Sequence, residues 1–443
     1  MGYQQDNSHA WTRARSQAAA MPAIYGNIDF DRMPERFSAE PGAETAMRGE
    51  YRGRRDAFLA DRERVAMVAA YTMTGDVVAD AYASLMPIFG FRGLVSMLET
   101  ACRLGVSAVP DAPKELVALI EDMERKPTWL DMNLVNEGAR LERNAMANIA
   151  PYVIRGALLA TFMNKYSALP MALTGTLTDA MAAKRTFETA TFFTVTVMPG
   201  ALERHGEGFK SAAMVRLMHS MVRFNVMRRP GAWDTAVYGL PIPQVDQMPA
   251  GLIGSFLLSA KVLKQGRTEF NAEERARVEL ARYRCFLLGL PEDLLGDTPR
   301  KIIDLMATRH ATLRAGFDEK TCGSLVRGAM SAELSKDTSA LGKLRQLMER
   351  SFSKAYLVSN FLDGKPERAA AMGIPYTGKD KLVALVTAAF LFPRLRLYAS
   401  AMRLPVLRDI ADRRLVAKLS RLLQSYGHAD FVSDGEAYRP VHS

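Results

Sequence analysis

Ala212-Ala213-Met214-Val215-Arg216-Leu217-Met218-His219-Ser220-Met221-Val222-Arg223-Phe224 is the stretch on which the reading of this chain turns. It contains no Gly or Pro, it is rich in helix formers, and Pro230 ends it. On a helix, Val215, Val222 and Val226 share the face of His219 at i−4, i+3 and i+7. Arg216 and Arg223 flank it at i−3 and i+4. A histidine so placed is either a core side chain hydrogen-bonded to a neighbour or an axial ligand to haem iron. Neutral imidazole on iron within an apolar shell is a common arrangement. Two arginines within a turn of it could pair with the two propionates of the cofactor.

The same helical spacing extends outward for most of the chain. Breaks at Pro87, Pro110–Pro113, Pro127, Pro170, Pro199–Gly200, Pro230–Gly231, Pro241–Pro243, Pro291, Pro299 and Pro375 divide it into helices of roughly 10 to 25 residues. Asn271, followed by Glu273 and Glu274, has the form of a capped helix start. The β-branched run Thr191–Val197 could form a strand, but no partner strand lies nearby, and helix is preferred there. The expected fold class is therefore all-α. Residues 1–45 are polar, carry Pro22, Pro34 and Pro41, and read as an extended arm. A helical domain is expected over 46–335, with a helical extension over 336–443 packed on it.

About half of the 443 residues are apolar, enough for a sizeable core. Net charge is +10, yet Lys and Arg are interspersed with Asp and Glu, and no nucleic-acid-binding string appears. The excess reads as solvated helix faces, so nucleic acid is not an expected partner. Cys102, Cys285 and Cys322 are far apart and odd in number, which suits a reducing compartment rather than a disulfide framework. No secretory signal is evident at the N-terminus, and Asp6 stands where an N-myristoylation motif needs Ser or Thr. A cytoplasmic location is expected. Leu382–Phe392 is the longest apolar run, short of the roughly 18 to 20 residues of a spanning helix, and suits a buried helix. Peripheral contact with a membrane surface through this segment stays open.

The strings GxGxxG, GxxxxGK[ST], GxSxG, HExxH and paired ExxH are absent. Of six histidines, His9, His428 and His442 lie in polar termini, His205 in a loop-like stretch and His310 on a mixed helix. That leaves His219 as the one well-placed ligand. A second constellation precedes it in Lys184-Arg185-Thr186-Phe187-Glu188-Thr189. Arg185 and Thr189 are i,i+4 neighbours with Glu188 beside them, and Phe192 and Thr196 extend the stripe. An arginine and a hydroxyl opening an apolar face could bind a polar oxygen species. A surface arginine beside a helix-interior threonine is the plainer reading.

Together these pieces resemble the family that unites latex-clearing protein (rubber oxygenase) with the ER-bound oxygenase of mycophenolic acid biosynthesis. The matching residues are Gly75-Asp76-Val77-Val78-Ala79-Asp80, then Arg185 with Thr189, then Met214–His219 with Val222-Arg223, and then Tyr238-Gly239-Leu240-Pro241-Ile242-Pro243-Gln244-Val245-Asp246. The resemblance spans roughly residues 65 to 300. It implies a globin-like helical core holding non-covalent haem b, with His219 as the proximal iron ligand. It implies Arg185 and Thr189 near the distal face, with Glu188 beside them as an orienting group or base. The implied reaction is O2-dependent cleavage of a carbon–carbon double bond in a hydrophobic, isoprenoid-like small molecule. Two departures narrow this. Rubber oxygenases carry an export signal, so an extracellular polymer is not the expected substrate here. Glu188 stands where some members carry a lysine just before the threonine, which argues against a closed state ligated by that lysine.

Two other classes compete. An all-α isoprenoid synthase needs an aspartate-rich metal motif, and the Asp76–Asp80 string lacks adjacent aspartates. A non-catalytic helical carrier of haem or lipid, or a membrane-surface partner, is the remaining alternative. Oligomeric state is not readable from the sequence.

Overall fold

The computed structural model describes residues 9–47, 49–173, 179–335 and 337–427. Among them the protein is all-α: helices follow one another, and the β pairing consists of two isolated antiparallel bridges, Phe37 with Leu313 and Thr45 with Arg314. The ambiguous Thr191–Val197 run falls mostly in the helix Asp179–Val195. Asn271 caps the helix Ala272–Leu287 with a reciprocal box, its side chain accepting from Glu274 N while Glu274 accepts from Asn271 N.

The chain forms two compact units that interleave along the sequence, Met1–Gly138 with Leu202–Ala315, and Ala139–Ala201 with Gly316–Ser443. This departs from the expected division into one domain over 46–335 and an extension over 336–443. The reason is that residues 316–427 share a core with 139–201, and no core residue in the sequence announces its partner.

The first unit is built round the helix Glu207–Met227, on which Phe209, Met214, Leu217, Met221 and Phe224 are buried. It packs on Val77–Ala83, Met86–Leu104 and Ala272–Leu287. Gln244–Lys264 lies against Ala272–Leu287 and Pro299–Thr312. The expected extended arm is instead helical over His9–Ala20, because Trp11, Ala14 and Gln17 are buried on one side and the helix packs on Arg62–Thr72. The sparse apolar residues of this helix hide its period. Residues 1–8 of that arm, and 428–443 with His428 and His442, lie outside the described residues.

The core of the second unit joins Leu158, Leu159 and Phe162 to Leu325, Leu357 and Val358. The helices Ala150–Thr161 and Ala340–Phe361 meet at Gly156, where any side chain would strike the carbonyl of Ser353. Arg155 is buried beside them. It pairs with Glu349 at 2.9 Å and donates to the carbonyls of Ala329 and Ala332 at the end of the helix Ser324–Ser331. Ala340–Phe361 also packs on Gly378–Arg403, which packs on Pro405–Tyr426. Two expectations change here. Pro170 lies inside the short helix Lys165–Leu173 instead of breaking it. The Leu382–Phe392 run does not end at Pro393 but continues to Arg403, and much of it is exposed. Pro393 is tolerated because it and Ala389 both lie on the outer side, where the carbonyl that loses its partner faces solvent.

Candidate active site

His219 sits in the middle of the Glu207–Met227 helix, half-buried, with Met218 and Val222 buried beside it. Its Nδ1 lies 3.2 Å from Oε1 of Gln247. Gln247 in turn donates from Nε2 to Oε1 of Gln244 at 2.9 Å, and Gln244 donates to the carbonyl of Gly75 at 2.9 Å. The relay continues through Gly75 N, which donates to Gln17 Oε1 at 2.7 Å, and Gln17 donates to the carbonyl of Met73 at 2.9 Å. Each amide is oriented by the next, so the group facing His219 is a carbonyl oxygen, which can only accept. An imidazole that donates to this oxygen from Nδ1 would, when neutral, carry its lone pair on Nε2. This is the arrangement that fixes the tautomer and ring orientation of metal-bound histidines. The donor set thus fits an axial haem ligand.

Arg216 and Arg223, expected as propionate anchors, are engaged by buried carboxylates on the helix Val77–Ala83 and at its cap. Asp76 accepts from Nε of Arg216 at 2.5 Å and from Nη2 at 2.9 Å, and Asp122 lies 2.7 Å from the same Nη2. Only Nη1 of Arg216 lacks a hydrogen bond. Arg223 pairs with Asp80, and donates to the carbonyls of Pro241 at 3.1 Å and Ile242 at 2.8 Å. Tyr25 donates its hydroxyl to the other oxygen of Asp80. Burial alone would raise the Asp76 carboxyl, but the charge and hydrogen bonds of Arg216 outweigh it and hold it below its usual range. Burial raises the Asp80 carboxyl, helped by the negative charge of Asp76 and opposed by Arg223. Burial also pushes the Tyr25 hydroxyl up, and Asp80 adds to this, so Tyr25 stays a donor.

Two glycines make room for these pairs. A Cβ at Gly289, whose φ is +83°, would stand 2.5 Å from Asp76 Oδ2 and 2.7 Å from Arg216 Nε. A Cβ at Gly75 would collide with the Tyr25 hydroxyl and stand 3.0 Å from Arg223 Nε. The Gly239–Gln244 segment is pinned on both sides. Leu240 N and Gln244 N donate to the carbonyls of Thr72 and Thr74, and Arg223 holds Pro241 and Ile242. Ile242 takes a φ of +48° under that hold. The Gly75–Asp80 and Gly239–Gln244 motifs are therefore the mounting of the His219 helix and its glutamine relay. Gln17, Tyr25 and Gln247 were not visible as site residues in the sequence. The i,i+3 pair Gln244 and Gln247 was the one signal available.

Arg185, Glu188 and Thr189 share one helix of the second unit, Asp179–Val195. Arg185 Nη1 lies 3.0 Å from Oε2 of the buried Glu188, so the carboxylate orients the guanidinium. Thr189 is half-buried one turn on. Phe192 and Thr196 are buried, and Thr196 donates to the carbonyl of Phe193 at 3.1 Å. Elsewhere in the first unit, His205 Nδ1 lies 3.1 Å from the Cys102 carbonyl, and the His310 ring meets Phe256 edge-on. Among the described residues no three His, Cys, Asp or Glu side chains converge to hold a metal ion. A porphyrin-bound iron asks less of the protein, a single axial ligand.

A family model described as "ER-bound oxygenase mpaB/B'/Rubber oxygenase, catalytic domain" matches residues 145–424. The chain belongs to this family. It is accordingly an oxygenase, and Arg185, Glu188, Thr189 and His219 all lie within the matched span. The match starts later and runs further than the resemblance over 65–300, so Gly75–Asp80 falls outside it. A solved structure titled "Structure of Latex Clearing Protein LCP in the closed state" is similar at 18% identity with a TM-score of 0.55, covering 80% of this chain and 91% of that one. The two share the fold. No curated protein sequence matches this chain.

Proposed function

We propose that this family member is a haem b-dependent oxygenase in which His219 would hold the iron as the proximal ligand that the family resemblance implies. Its substrate on this reading is a hydrophobic, isoprenoid-like small molecule whose carbon–carbon double bond is cleaved with O2. The observation that carries the reading is the imidazole of His219, with Nδ1 3.2 Å from the Gln247 side-chain carbonyl, which Gln244 orients. Haem held there would supply redox-active iron for work on dioxygen. The protein's own contribution is to position and to polarise. Arg185 supplies a fixed positive charge, since a guanidinium keeps its proton at working pH. Thr189 supplies a hydroxyl donor from the same helix face. Glu188 sets the direction of Arg185. Donors aimed at negative charge that develops on oxygen stabilise it most where water is excluded. The three free, buried cysteines agree with a reducing cytoplasmic setting, and peripheral contact with a membrane completes this reading.

Arg185→Ala and Thr189→Ala test the division of labour. Both variants should take up haem with the spectrum of the parent, and each should lose on the order of 100-fold in O2-dependent turnover of an unsaturated isoprenoid. Unchanged turnover in both haem-loaded variants returns Arg185 to a structural role.

A further inference from the structure

The helices Gly378–Arg403 and Pro405–Tyr426 join at Leu404, and their outer side is unusually apolar. Leu382, Leu385, Val386, Phe390 and Leu397 recur at helical spacing along one face, and Leu385 and Leu397 are each 68% exposed. The face continues round the joint through Leu404, Leu407 and Val406, the last 83% exposed. The opposite side of the first helix carries Ala384, Thr387 and Leu391, buried where it packs on Ala340–Phe361 and Pro405–Tyr426.

Its charge is one-sided. From 378 to 408 the basic residues are Lys379, Lys381, Arg394, Arg396, Arg403 and Arg408, against one acid, Asp380. Asp380 is turned inward, where it caps its own helix and meets Lys354 at 3.2 Å. At the joint a cleft of about 370 Å³ opens between Arg140, Arg403 and Arg408, with Met402, Pro405 and Asp409 completing its wall. Three guanidinium groups against one carboxylate favour an anion, and planar guanidinium suits phosphate.

We propose that this face docks the protein on an anionic bilayer, with the apolar ridge at the acyl boundary and a lipid phosphate in the arginine cleft. An amphipathic helix with an apolar face and a Lys/Arg fringe binds in the plane of such an interface. A second copy of the chain fits less well, because the ridge would bring its cations against identical cations, and Asp409 alone at the cleft is too little to answer them. A spanning orientation fits less well too. The helix packs along its inner side on Ala340–Phe361, whose Lys354 and Glu349 would then be carried into hydrocarbon. The proposal deepens the membrane-contact part of the reading above and does not depend on haem.

The test is co-sedimentation of the full chain with phosphatidylcholine vesicles, with and without phosphatidylserine. Binding should require phosphatidylserine and weaken with salt. Leu385→Glu with Val406→Glu should abolish it without changing the helical circular dichroism, since both side chains are exposed. Arg403→Gln and Arg408→Gln should each weaken it by about fivefold. Inorganic phosphate should compete weakly, because it lacks the acyl boundary. His219→Ala should dock as the parent does, so a failure of the haem reading leaves this one standing. Docking that survives the double glutamate substitution, or no binding to either vesicle, overturns the proposal. So does a parent dimer that the glutamates split while vesicles are ignored.

Discussion

Gln247 shows what a neighbour would do for a ligand at His219. Its carbonyl oxygen lies 3.2 Å from Nδ1 of His219, and its own amide donates to Gln244. Partners of this kind typically account for 10- to 100-fold in metal affinity. Gln247→Leu should therefore keep the fold and lower haem affinity by about 10- to 100-fold in a haem titration. Unchanged affinity would mean that the ring is oriented by something else. His219 stands out in the sequence as a candidate, because a histidine among Met, Val and Leu on a helix is conspicuous. Its support was not, since Gln17, Gly75 and Gln247 come from three distant segments and glutamines are read as surface. The carboxylate partners of the two arginines were hidden for a related reason. Two cations beside a candidate ligand suggest anionic cofactor groups, and nothing local reveals that Asp76 and Asp80 reach them from about 140 residues away.

The pairing of Val77–Ala83 with Glu207–Met227 depends on charges taken out of water. Such pairs need not beat a well-packed apolar seam, but removing one partner leaves a buried charge and costs about 3–5 kcal/mol. Asp80→Ala should lower unfolding stability by that much, because Arg223 is wholly buried. A loss below about 1 kcal/mol in denaturant titration would show that Arg223 finds another partner. Asp76 adds a pH dependence of known sign. Its folded value is depressed, so its contribution is complete above the ordinary aspartate value of about 4 and is lost as pH falls through the lowered folded value. The stability gap between the parent and Asp76→Asn should narrow below about pH 4, and a gap that stays constant would contradict the pairing. At this scale the sequence was most legible where the signal is local. The Asn271 box follows from neighbouring residues, whereas the β-branched Thr191–Val195 run reads as helix only because no partner strand lies nearby. The His9–Ala20 helix does not, since its burial depends on Arg62–Thr72.

Each of the two units has its own core, and the family match enters the second, passes through the first over 202–315, and returns. This interleaving is why a linear division of the chain failed while the all-α class held. Burial extends to the thiols. Desolvation pushes Cys102 and Cys285 up to about 12 and Cys322 up to about 11. A neutral-pH thiol titration should find none of the three reactive in the native protein and all three after denaturation. A fast-reacting native thiol would show that one of these sites opens. The central claim, that His219 holds haem, meets its most direct test in the absorption spectrum of the purified protein beside that of His219→Ala. Alanine keeps the helix, so the variant should fold as the parent does. The account predicts about one haem per chain and a Soret band in the parent, with both lost in the variant and partly restored by added imidazole. A variant with an unchanged Soret band and full haem occupancy would contradict it.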